Sequence, residues 1–173
     1  MVRYLYYIFE VPDQLQIGGI MNAGFLTGFH HVATVTRDLE RLIGFYTDVF
    51  DAEIVFDLVA PGLELRHVGL DVGGGIVHAW EAPESVTGPF PTKMFTRGRL
   101  DHMALAARNE EALDVLRRRL VDRGACDGNV SDFGSILSVW FTDPDGMELE
   151  VCCFRAGVAP GDVRDPQPAA AEA

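Results

Sequence analysis

The short segments "FHHVA" and "LDHMA" place His31 and His102 at matching positions, 71 residues apart. The chain holds only five histidines, so the coincidence is informative. A third residue joins them from "FTDPDGMELEV", where Glu150 lies four residues after Gly146. The matching spacing in "VGGGIVHAWEAP" puts His78 four residues after Gly74. The glycine run there permits a shift of one residue, which would present Ala79 instead and make Glu81 the rival of His78. Two neutral imidazoles and a carboxylate on one face bind a divalent first-row metal and leave positions open. A structural zinc site prefers thiolates in a closed tetrahedron, and Cys126, Cys152 and Cys153 lack the spacing for one. Open positions suit a catalyst, because a metal there polarises substrate oxygens and stabilises a developing enolate. Glu150 and His78 are the residues expected to move protons in such a site.

These residues sit on a repeated framework. "FHHVATVTRDLERLIGFYTDVFDAE" begins as a strand and passes into a helix whose apolar face holds Leu39, Leu42, Ile43, Tyr46, Val49 and Phe50. "LDHMALAARNEEALDVLRRRLVDRGA" repeats the pattern, with Asn109 as N-cap, a stripe of Leu113, Leu116 and Leu120, and Gly124 as the stop. Three β-type runs follow each helix: 52–58, 63–72 and 76–81 in the first half, and 126–132, 136–142 and 147–154 in the second. The expected fold is therefore α+β. Two tandem βαβββ modules, residues 28–82 and 100–155, form an open, curved, mixed-sheet half-barrel around a metal site, with the helices outside. A Pro-, Gly- and Thr-rich linker spans 83–99 and a low-complexity tail, expected to be disordered, spans 156–173. Residues 1–27 form an N-terminal extension and a candidate extra strand. The repeat also orders the "HH" pair: His31 matches His102 and faces the cavity, whereas His30 matches Asp101 and faces away.

Composition narrows the functional classes. Twenty-six acidic residues against 14 basic ones give a net charge of −12, a surface that repels nucleic acid and anionic membranes. The cluster Arg117-Arg118-Arg119 lies within a helical pattern and reads as a solvated face. No apolar run reaches the length of a membrane span, and "MVRYLYYIFEVP" lacks the core and cleavage site of a signal peptide. Three cysteines without a pairing pattern fit a reducing cytoplasm.

The segments "FHHVATVTRDLERLIGFYTDVFDAE", "RLDHMALAA" and "FTDPDGMELEV" resemble the vicinal oxygen chelate superfamily over roughly residues 28–154. That superfamily includes glyoxalase I, methylmalonyl-CoA epimerase, fosfomycin-resistance transferases, type I extradiol dioxygenases and bleomycin-resistance binding proteins. The resemblance implies that His31, His102 and Glu150 occupy the metal-ligand positions. It sets His78 where glyoxalases and epimerases carry a fourth ligand, close to where extradiol enzymes carry an acid/base histidine. The implied cofactor is one divalent ion (Fe2+, Mn2+, Zn2+, Ni2+ or Co2+), the implied partner a small-molecule substrate, and a homodimer is among the family's forms.

Three activities stay open. Proton transfer of the lyase, isomerase or epimerase type at a chelated carbonyl stands first. An Fe(II) extradiol-type dioxygenase acting on a catechol-like substrate is the alternative, although Trp140 stands where such enzymes generally carry a tyrosine. A metal-free antibiotic-binding protein is the third, and it needs no histidine pair. Among the neighbours, Glu148 is expected at the solvent edge, and His67 and His30 as hydrogen-bonded strand residues or supports for a ligand. Phe133, Trp80, Trp140 and Phe141 are expected in the core or the pocket wall.

Overall fold

A computed structural model describes residues 29–85, 100–159 and 162–168. The first strand, β1 (His31–Thr36), leads into helix α1 (Leu39–Phe50) and then into β2 (Glu53–Ala60), β3 (Leu65–Asp71) and β4 (Ile76–Glu81). After a short 3-10 turn at Pro83–Ser85, the order repeats as β5 (Ala104–Ala106), α2 (Glu110–Asp122), β6 (Ser131–Gly134), β7 (Ile136–Thr142) and β8 (Glu148–Phe154). A further strand, β9 (Val163–Pro168), follows.

The helices begin and end where local chemistry directs. Asp38 caps α1 by accepting from Arg41 N at 3.0 Å, and Asp51 closes it in the left-handed region. Asn109 caps α2 in the same way, accepting from Ala112 N at 2.9 Å. The buried face of α1 is Leu39, Leu42, Phe45, Tyr46 and Val49; α2 buries Leu113 and Leu120, with Leu116 packed at the margin.

Both sheets share one plan. The first has the order β1-β4-β3-β2 and the second β5-β8-β7-β6-β9, and in each the first strand lies at an edge, parallel to the last strand of its module. Alternation along the strands gives every sheet an inner and an open face. Val68, Leu70, Val77 and Ala79 point inward from the first sheet, and Leu137, Val139, Phe141, Leu149, Val151 and Cys153 from the second. All of them join both helices in one hydrophobic cluster. The two modules are held through that side: Phe45 stacks on Phe141, and Arg119 reaches the Val49 carbonyl at 2.9 Å and Asp51 at 2.7 Å. Arg123 pairs with Asp48, and Arg41 pairs with Asp145 at 2.7 Å.

The α+β class, the repeated βαβββ unit and the open mixed sheets are as expected. Each helix covers the inner face of its sheet and leaves the other face open. The helix-covered sides of both sheets share one core. Two boundaries also differ from the sequence reading. The strand expected over 126–132 is confined to Ser131–Gly134, because Asp127 accepts from Asn129 N at 2.9 Å and Gly128 adopts a positive φ, forming a turn. The tail expected to lack structure contributes β9, which pairs antiparallel with β6. Asp132 anchors it, meeting Arg164 at 2.6 Å and Arg155 at 2.9 Å. As an outer strand, β9 can carry Pro166 and Pro168. Residues 1–28 and 86–99, with the candidate N-terminal strand and most of the linker, lie outside the described residues.

Candidate metal centre

Register resolves the alignment of the two halves. Ala33 lies opposite His78 across β1 and β4, and Ala104 lies opposite Glu150 across β5 and β8. His31 and His102 each stand two residues before those alanines, so His31 with His78 and His102 with Glu150 are equivalent pairs. Ala79, the product of a one-residue shift, is fully buried in the core. Glu81 is removed from the contest as well: its Oε1 accepts from Leu39 N at 3.1 Å, at the start of α1.

On the first open face the His31 and His78 rings are 5.6 Å apart. His78 is also enclosed by Phe56 at 5.2 Å, His67 at 5.0 Å and Trp80 at 4.9 Å. Gly69 makes this enclosure possible, since a side chain there would run into the Phe56 ring. Burial, followed by the proximity of His67 and His31, pushes His78 down to about 4, so its ring is neutral at physiological pH. Burial also lowers His67.

On the second open face His102 Nε2 lies 3.5 Å from Glu150 Oε2, and Trp140 meets the His102 ring edge-on at 4.8 Å. Glu148 and Thr142 extend the same row toward the strand end. Burial raises the Cys152 thiol, the neighbour of Glu150 along this face, to about 11, so it is not a thiolate nucleophile at neutral pH. Phe141 is core, whereas Trp80 and Trp140 line the two open faces.

Each candidate imidazole has one nitrogen occupied by a neighbour. His102 Nδ1 donates to Asp101 Oδ1 at 2.9 Å, leaving Nε2 for Glu150 and whatever they bind together. His31 Nδ1 lies 2.9 Å from His30 Nδ1, and His78 Nε2 lies 2.7 Å from His67 Nδ1. Metal-binding histidines characteristically have their second nitrogen held by a carboxylate, as Asp101 holds His102. Two ligand atoms about 2.0–2.2 Å from one ion stand roughly 3–3.5 Å apart, and the His102–Glu150 separation of 3.5 Å fits that spacing. The donor set therefore suits a divalent metal in type and in its supports. It is divided two and two between the faces, however, and no group of three ligating side chains gathers among the described residues.

His30 differs from its expected place. It precedes β1, so strand alternation does not govern it, and its ring lies 5.1 Å from that of His31. The repeat carried the missing signal: His30 stands to His31 as Asp101 stands to His102. A surface depression of about 420 Å3 between the end of α1 and α2, lined by Phe50, Arg108 and Arg119 among others, contains none of the candidate residues.

A tandem βαβββ chain with matched polar pairs on two open sheets has the architecture of the vicinal oxygen chelate proteins. The chain belongs to the Glyoxalase/Bleomycin resistance protein/Dioxygenase superfamily, whose family model matches residues 28–151. Among solved structures it is similar to a glyoxylase/bleomycin resistance protein/dioxygenase domain from Frankia sp. EAN1pec, with 25% identity over 75% of this chain and 99% of that one, and a TM-score of 0.62. It shares its fold with lactoylglutathione lyase from Agrobacterium tumefaciens, with 22% identity, 75% and 96% coverage, and a TM-score of 0.54. The fold also matches the fosfomycin resistance protein FosX from Listeria monocytogenes, crystallised with Mn(II) and sulfate, with 17% identity, 76% and 95% coverage, and a TM-score of 0.54.

Proposed function

We propose that this protein is a divalent-metal-dependent enzyme that chelates a small substrate through two neighbouring oxygens and catalyses proton transfer of the lyase, isomerase or epimerase type. The observation that carries this reading is the pair of half-sites: His31 with His78, and His102 with Glu150, with each imidazole held by a neighbour on its second nitrogen. A second copy of the chain completes the set, so that the first open face of one copy meets the second open face of the other. Both β1 and β5 are sheet edges, and the first open face leaves Val35 and Leu58 about half exposed (48% and 53%), apolar area suited to coverage by a partner. His31, His102 and Glu150 would hold the ion, and His78 takes the fourth position.

When bound, the metal supplies Lewis-acid polarisation of the chelated oxygens. The chain supplies the rest. Asp101 and His30 orient the imidazoles, the rings of Phe56, Trp80 and Trp140 exclude water, and Glu150 accepts the proton next to the polarised carbonyl. His78, neutral at physiological pH, is able to relay that proton only in a state where its Nδ1 is not on the ion. A reducing cytoplasm is the proposed location, supported by three free cysteines.

One observation favours the dioxygenase as a second reading: aromatic rings stand at both half-sites, a lining that suits a planar catechol. Metal analysis of protein purified without added metal, followed by reconstitution, separates these outcomes. The expected result is a bound divalent ion, lost in His102→Ala, with oxygen-independent turnover after reconstitution. Iron with oxygen uptake on catechols selects the dioxygenase. If the purified protein takes up no ion and His102→Ala behaves as wild type, the enzyme reading fails and a binding protein is left.

A further inference from the structure

His67 lies outside the four candidate ligands, yet it makes a short polar contact with one of them on the first open face. Its Nδ1 is 2.7 Å from His78 Nε2. Its ring lies flat on Trp80, with centroids 4.2 Å apart and planes 9° from parallel, and Phe56 closes the other approach at 5.3 Å. The register explains the meeting: His67 lies opposite Trp80 and Gly69 opposite His78, so the two histidines are diagonal neighbours across β3 and β4.

A hydrogen bond between two neutral imidazoles needs one N–H and one lone pair. If His67 donates, both rings carry their proton on Nδ1, the less stable position for a neutral imidazole. If His78 donates, both carry it on Nε2, the more stable one. The contact atoms therefore favour a single direction. Among the described residues His78 Nδ1 has no hydrogen-bond partner, so its lone pair is the one left for the site.

We propose that His67 is a positioning residue for His78: it accepts the Nε2–H of His78 and so makes Nδ1 the nitrogen that His78 presents to the open face. His102, whose Nδ1 is taken by Asp101, presents Nε2 instead. The second module offers this site a nitrogen and a carboxylate, and the first offers imidazoles whose tautomers are set from outside the ligand set. What His78 Nδ1 binds rests on the metal reading above; the tautomer itself does not.

The two roles of His67 separate by substitution. His67→Phe keeps a ring on Trp80 and removes the acceptor, whereas His67→Asn removes the ring and keeps an acceptor oxygen near the place of Nδ1. The measurement is long-range 1H–15N correlation on the full chain, labelled with 15N-histidine and stripped with EDTA, with His78 assigned from the signal lost in His78→Gln. The expected spectrum has His78 protonated on Nε2 and unprotonated on Nδ1 in the wild type and in His67→Asn, and a mixture of tautomers in His67→Phe. Titration with Co2+ alone should give roughly 10- to 100-fold weaker binding in His67→Phe and near-wild-type binding in His67→Asn. A wild-type His78 protonated on Nδ1, or a His67→Phe spectrum unchanged at His78, overturns the proposal. If the tautomers are as expected and the wild type takes up no Co2+, the positioning role stands and the metal reading fails.

Discussion

Asp143, the first residue of the Asp-Pro-Asp-Gly turn before β8, allows a quantitative test of how the fold treats a buried charge. Its carboxyl is 9% exposed, and Oδ1 accepts from the backbone N–H of Asp145 and of Met147, both at 2.9 Å. Burial raises its proton affinity; the Met147 hydrogen bond opposes that, and the nearby Asp145 charge adds to the rise, so the group titrates at about 6 instead of 3.8. A carboxyl raised in the folded state contributes stability that is fully present below 3.8 and is lost as the pH rises through about 6. At about 1.4 kcal/mol per pH unit of displacement, ionisation costs the folded state about 3 kcal/mol. Asp143→Asn keeps the acceptor oxygen and removes the charge. At pH 7.5 it should stabilise the protein by about 2–3 kcal/mol, which for a domain of this size raises Tm by roughly 4–10 °C. The gain should vanish near pH 4, where the wild-type carboxyl is protonated. Differential scanning calorimetry at fixed protein concentration across pH 4–8 measures it, with Asp145→Asn as a comparison that relieves the smaller repulsion but loses the Arg41 bridge and should stabilise less. Equal melting temperatures at pH 7.5, or a gain as large at pH 4, would refute the reasoning.

Two further outcomes follow from the assembly and from the C-terminal strand. If the half-sites belong to different copies, His31→Ala and His102→Ala are each inactive alone, but co-refolding them restores activity. Random pairing makes half the dimers mixed, each with one intact site, or roughly a quarter of wild-type sites; no recovery would mean that each chain builds its own site. Asp132 is held down to about 2, by the Arg164 hydrogen bond first and then by the backbone N–H of Gly134. Its contribution to holding β9 is therefore present above about 3.8 and lost as the pH falls toward 2. Asp132→Ala should expose the segment around Val163–Pro168 to proteolysis at neutral pH while leaving the rest of the fold protected; an unchanged cleavage pattern would show that the backbone pairing with β6 suffices.

The parts of this molecule legible in the sequence are those set by local periodicity and by comparison of one half with the other. Asn109 caps its helix through a contact three residues long, and the apolar stripes needed only helical spacing. His31, His102 and Glu150 followed from repetition, since a strand exposes equivalent positions wherever it recurs. His78 lay at the limit of that method, because the Gly73–Gly75 run hides the strand register. The register is set by the turn, where Val72 N bonds to the Gly75 carbonyl at 3.1 Å and Asp71 lies opposite Ile76. Counting back from that pair reaches His67 opposite Trp80, so the turn held a usable signal for His67. The strand over Val163–Pro168 was hidden for a different reason: its prolines and charges resemble a disordered tail, and its partners lie far along the chain, with Arg164 reaching Asp132, 32 residues away. The division of four candidate residues between two faces was beyond any local pattern. Identical βαβββ units can close on each other or on a neighbour, and their strands read the same in either case. Here Phe45 stacks on Phe141 and Arg119 reaches the Val49 carbonyl, which joins the helix-covered sides of the two modules. Contacts far from the candidate residues, between helix and sheet, thus set how the two modules meet, and no periodicity within either module encodes them.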